Sequence, residues 1–80
     1  MSERIIDSIK NQEAADTCFT NALKSLEIHD YEGAANYIKL GTAKSESIEQ
    51  RFAFLMLTML VEGKNDEVTD SILNEVYGGR

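Results

Sequence analysis

Residues 51–62 read RFAFLMLTMLVE, and between Phe52 and Val61 only Thr58 is polar. Placed on a helix at about 100° per residue, Ile48, Phe52, Leu55, Met56 and Met59 gather on one side, while Phe54, Leu57 and Val61 gather on the other. Ala53 and Leu60 lie between the two groups. A helix that is apolar all round has to be covered all round. The larger group is expected to be an ordinary core stripe facing the other helices. The smaller group is then either enclosed because this helix is the central rod of a bundle, or covered by another polypeptide. A chain of 80 residues has few helices with which to wrap a rod. Burying each of the three side chains is worth about 1.5–3 kcal/mol, against a net stability of only ~5–15 kcal/mol for a whole domain. The sequence therefore predicts Phe54, Leu57 and Val61 as a partner or self-association surface.

The rest of the chain supplies three further helices. It contains no proline, its glycines fall at 33, 41, 63, 78 and 79, and strand-type alternation is absent. Ser2 is placed as the N-cap of a first helix over residues 3–28, with Glu3 at its positive end. Its stripe is Ile5, Ile9, Phe19, Leu23 and Leu26, flanked by Ala15, Cys18 and Ala22. Gln12 and Asp16 fall on the same stripe, so either the helix bends near KNQE or these two face something polar. His29 suits the negative end of this helix. Asp30 caps a second helix over 31–41, whose inner face is Tyr31, Ala34, Ala35 and Ile38 and whose stop is Gly41. Ser47 and Gln50 have capping-box spacing and open a third helix over 47–62, stopped by Gly63. The spacing also allows one bent helix from 31 to 62. Asn65 caps a fourth helix over 66–77, with Val68, Ile72, Leu73 and Val76 on its apolar side and 78–80 as a flexible tail. The expected architecture is a single all-α domain over 1–80, a small bundle of three to four helices with an antiparallel hairpin at its N-terminus. No repeat of clear period is visible.

Composition narrows the function. Net charge is −6, with 14 acidic against 8 basic residues. That sign opposes direct binding to nucleic acid or to anionic membrane. MSERIIDSIK lacks the apolar core of a signal peptide. The apolar run of the third helix is far shorter than the ~20 residues of a membrane span. One cysteine and one histidine exclude an internal disulfide and a multi-ligand Cys/His zinc site. A reducing, cytoplasmic setting follows as the expectation. A nucleophilic Cys18 would need a base, and His29 is about 16 Å further along an unbroken helix. Cys18 reads as a packed thiol and His29 as a helix-end residue. No calcium-loop, phosphate-loop or nucleophile-elbow pattern occurs, so the sequence predicts no catalytic residue, metal or cofactor.

Two further features bear on binding. Asp16, if buried, needs a partner such as Lys39, Lys44 or Arg51, which would make an ion pair between helices or subunits. Glu62, Asp66, Glu67, Asp70 and Glu75 crowd the end of the third helix and the fourth, and form either a solvated face or an acidic docking patch. The segment HDYEGAANYIKLG, about a sixth of the chain, resembles the turn and second helix of a tetratricopeptide-type hairpin, with Asp30, Tyr31 and Ala34 in place. It is also similar to small helical domains that bind amphipathic peptides in trafficking proteins. Cys18 and Asn21 stand where the tetratricopeptide pattern has an aromatic and a Leu-Gly pair. The resemblance implies that the first two helices form an antiparallel pair.

Together these readings predict a non-enzymatic interaction module: a homo-oligomeric adaptor, chaperone or inhibitor, most simply a homodimer, binding protein through an apolar helix face. The alternatives are an acidic inhibitor seated in the basic groove of a nucleic-acid-binding protein and a small-ligand binder with a pocket between helices or subunits.

Overall fold

The computed structural model describes the backbone of residues 2–78 and the side chains of residues 9–78. Four helices follow one another: α1 (Ser2–Glu27), α2 (Tyr31–Lys44), α3 (Ile48–Gly63) and α4 (Asp66–Val76), with no strand among the described residues. The expected side-chain roles of Ser2, Glu3 and Ile5 and the tail at 79–80 lie outside the described residues.

Small residues set the first packing layer. Ala15, Ala22 and Ala34 are fully buried, and Leu23, Leu26 and Ile38 fill the space around them. α1 and α2 therefore approach closely and pack along the length of α2. Gly41 belongs to the same layer. It was expected to stop α2, but the helix continues to Lys44. A side chain at Gly41 would enter the ring of Phe54 and lie 2.9 Å from Cβ of Cys18. Its glycine thus provides a notch for α3 rather than a helix end.

The break between α2 and α3 comes at Ser45, which is extended at ψ 132°. Its hydroxyl donates to the carbonyl of Gly41 at 2.9 Å, satisfying one of the last carbonyls of α2. Ser47 then caps α3 by accepting from the Gln50 amide at 3.1 Å. The bent single helix over 31–62 does not form. α3 lies across α1 and α2 with Phe54, Leu57 and Leu60 inward, and Phe54 meets Phe19 edge-on at 5.6 Å and 78°. α4 buries Thr69 and Leu73 and packs against α1 far more than against α3, its neighbour in sequence.

The polar residues on the α1 stripe find a polar partner. Gln50 Nε2 donates to Asp16 Oδ1 at 2.9 Å and to the Gln12 carbonyl at 3.3 Å. Asn11 Nδ2 donates to Glu46 Oε1 at 2.9 Å alongside them. The expected ion pair of Asp16 with Lys39, Lys44 or Arg51 is replaced by this amide contact, and Asp16 stays exposed. An exposed carboxylate keeps most of its hydration, so no cation is needed to hold it there.

A repeat also emerges, contrary to the expectation of none. His29 and Lys64, 35 residues apart, are the two non-glycine residues with positive φ among those described, at 58° and 48°. Each precedes an N-cap, Asp30 and Asn65, whose side chain accepts from the amide three residues on, at 3.0 Å in both cases. The same offset relates the buried pairs Ala22 and Leu57, Ser25 and Leu60, Ala34 and Thr69, and Ile38 and Leu73. Lys64, not Gly63, takes the left-handed position that ends α3, and Gly63 remains helical.

Candidate interaction surface

The predicted surface of α3 is its core, and the predicted core is its surface. Phe54 is 1% exposed and Leu57 0%, and half-buried Val61 packs against the same cluster. Phe54 and Leu57 are enclosed by the chain's own helices and are not open to a partner in this fold, while Val61 also lines a groove against α2. Ile48, Phe52, Leu55, Met56 and Met59 face outward, each between 40% and 69% exposed. The sequence pattern marks two apolar sides but not which one docks. The notch at Gly41 decides, because it accepts the Phe54 ring between α1 and α2.

The outward residues form one continuous band. Ile48, Phe52, Leu55 and Met59 step by four, three and four, the spacing of a helix–helix seam. Met56 widens the band, and its unbranched neighbour Met59 adds a second adaptable side chain. Beside the band, a groove against α2 is lined by Thr42, Ile48, Arg51, Phe52, Leu55 and Thr58. A second groove against α1 is lined by Phe19, Glu49, Gln50 and Ala53 among others. Among the described residues every buried side-chain nitrogen or oxygen has a partner.

The repeat supplies an internal reference for this band. Thirty-five residues earlier, on α1, its positions are Glu13, Thr17, Thr20, Asn21 and Lys24, four of them exposed and Asn21 half-buried. The same face of an equivalent helix is therefore polar where it meets water. At the edge of the α3 band stand Arg51 and Glu62, about 20° apart around the helix and about 16 Å apart along it. Both are exposed, and neither joins an ion pair among the described residues.

The acidic residues of the predicted docking patch are divided in their use. Glu62, Glu67 and Glu75 are exposed. Asp66 and Asp70, one turn apart on α4, grip the turn between α1 and α2. Asp70 Oδ1 lies 3.0 Å from His29 Nε2, and Asp66 Oδ2 lies 3.6 Å from His29 Nδ1. Tyr31 donates its hydroxyl to Asp66 Oδ1 at 2.6 Å, stacks on His29 with ring centroids 6.2 Å apart, and reaches Thr69 Oγ1 at 3.2 Å. The hydrogen bond to Asp70 is the main reason the His29 imidazolium persists above its ordinary range, with the nearby carboxylate charges adding to it. The bond to Asp66 likewise raises the Tyr31 hydroxyl. This cluster tethers α4 and was missed in sequence because its members lie up to 41 residues apart. Two acids one turn apart facing the lone histidine were the available signal.

Cys18 is half-buried against the core beside Gly41. Among the described residues no group of three or more His, Cys, Asp and Glu side chains is placed to hold a metal ion, and no helix is long and apolar enough to cross a membrane. Compared with known proteins, the chain matches no family model, no curated protein and no solved structure.

Proposed function

We propose that this chain is a non-enzymatic protein-interaction module that binds through the outer face of α3. The observation that carries the reading is the band Ile48, Phe52, Leu55, Met56 and Met59, exposed on a helix whose counterpart face on α1 is polar. A continuous apolar patch rimmed by charge is the usual signature of a protein-binding surface. Phe52 and Leu55 at its centre are the anchors, because truncating large central side chains loses the most binding energy.

Photo-cross-linking tests this directly. The reactive residue p-benzoylphenylalanine replaces Leu55 in one protein and Thr20, its counterpart on α1, in another. In native extract the first should give adducts with polypeptide and the second none. Equal yields from both positions, or none from either, would contradict the reading.

A further inference from the structure

We infer that the occupant of the α3 face is a second copy of this chain, its α3 packed antiparallel about a two-fold axis near Met56. This rests on the preceding proposal and deepens it by naming the partner. Three observations converge on it. The first is the seam: Ile48, Phe52, Leu55 and Met59 repeat at four, three and four residues, so the band complements a helix with the same band. The second is area. Five large apolar residues exposed by 40–69% present on the order of 600 Å² per copy. Full cover of the whole band on both copies would remove at most about 1,200 Å², the lower edge for a specific interface. The third is charge.

Arg51 and Glu62 stand on one edge of the band, the cation near the start of α3 and the anion near its end. In antiparallel helix pairs, residues on the same edge face one another. An axis midway between positions 51 and 62 sets Arg51 of each copy opposite Glu62 of the other. It also brings Phe52 to within about 3 Å, along the helix axis, of the level of Met59 of the other copy, and sets Leu55 and Met56 near their own counterparts. A parallel pair would leave the two charges about 16 Å apart along the helices. One two-fold operation thus covers the band from Phe52 to Met59 and pairs both charges, which is the self-complementarity a symmetric dimer requires.

Solution mass against concentration, by sedimentation or light scattering, tests the proposal on the full chain. The wild type should move from 8.9 kDa toward twice that value as concentration rises. Arg51→Glu and Glu62→Arg, each alone, should weaken self-association about five- to tenfold at low salt, with far-UV circular dichroism unchanged. Mixing the two variants should restore association, because the two reversed charges then meet each other across the axis, and the unaltered Glu62 of one copy meets the unaltered Arg51 of the other. Monomers at every concentration, or dimers indifferent to both reversals, overturn the antiparallel pair. If the mass stays at 8.9 kDa while the cross-linker at position 55 captures a different polypeptide, the second copy is excluded and the interaction module stands. If position 55 captures nothing as well, both fall.

Discussion

The two halves of this molecule use one layout to different ends. Residues before and after a left-handed turn at His29, and again at Lys64, share four buried positions and cap the second helix in the same way. In the first half the matching positions hold Ala22, Ala34 and Gly41, so α1 and α2 approach closely. In the second half Leu57, Thr69 and Val76 occupy those positions, and α3 and α4 scarcely touch. Each helix of the second pair packs on the first pair instead. The outer faces differ as well. α1 presents Glu13, Thr17, Thr20, Asn21 and Lys24 where α3 presents Ile48, Phe52, Leu55, Met56 and Met59. The shared layout does not ask for apolar residues there, so their presence on α3 calls for another cause.

The largest expected effect separates the two sides of α3. Leu57→Glu places a charge at a position with no exposure, a cost of several kcal/mol, and should leave the chain unfolded by circular dichroism. Leu55→Glu, two residues away on the exposed side, should keep the helical signal and, at concentrations where the wild type is monomeric, the melting temperature. If both variants unfold, or both fold, the assignment of faces is wrong. Gly41→Ala comes next. A methyl group there displaces Phe54, at a cost of about 1–3 kcal/mol that the ~1 kcal/mol gain in helix propensity does not offset. Val76→Ala, the matching site in the second half, should cost less in the same denaturant titration, since Val76 is on the surface.

The two left-handed turns give smaller effects. Lys64→Gly should stabilise the fold by about 0.5–1 kcal/mol, because glycine accepts positive φ without the side-chain clash. His29→Gly relieves the same clash but removes the contacts to Asp66 and Asp70, so its gain should be smaller. A denaturant midpoint for each decides. The pH effect is the smallest, because the cluster is exposed and screened by salt. The His29 pKa is raised in the folded state. Its contribution is therefore fully present below the unfolded value of about 6.5 and is lost as pH rises through the higher folded value. The melting temperature should fall slightly from pH 6 to pH 8 in the wild type, and this part of the slope should vanish in His29→Gln.

Helix positions were legible in the sequence because each start carries its own chemistry. Asp30, Ser47 and Asn65 all accept from an amide three residues on, as their identities predict. Stops were less legible. Gly41 and Gly63 look like helix ends, but Gly41 serves packing, and the left-handed turn falls one residue after Gly63. The orientation of α3 was not legible at all. Counting apolar residues favours the five-membered side for the core. The notch formed where α1 and α2 meet at Cys18 and Gly41 selects Phe54 instead, and that notch exists only after the helices have packed. The repeat escaped notice for a related reason. It lies in conformation and burial, whereas Ala22 and Leu57, or His29 and Lys64, share little as letters.

The most direct measurement transplants the outer face of α1 onto α3. The variant carries Ile48→Glu, Phe52→Thr, Leu55→Thr, Met56→Asn and Met59→Lys, each the residue found 35 positions earlier. Its helical signal should persist, its stability should stay within about 2 kcal/mol of wild type after the modest loss of helix propensity, and its self-association should disappear at every concentration tested. A transplanted chain that unfolds would show that the band belongs to the molecule's own core. One that folds and associates as before would show that the band is not where this protein meets another.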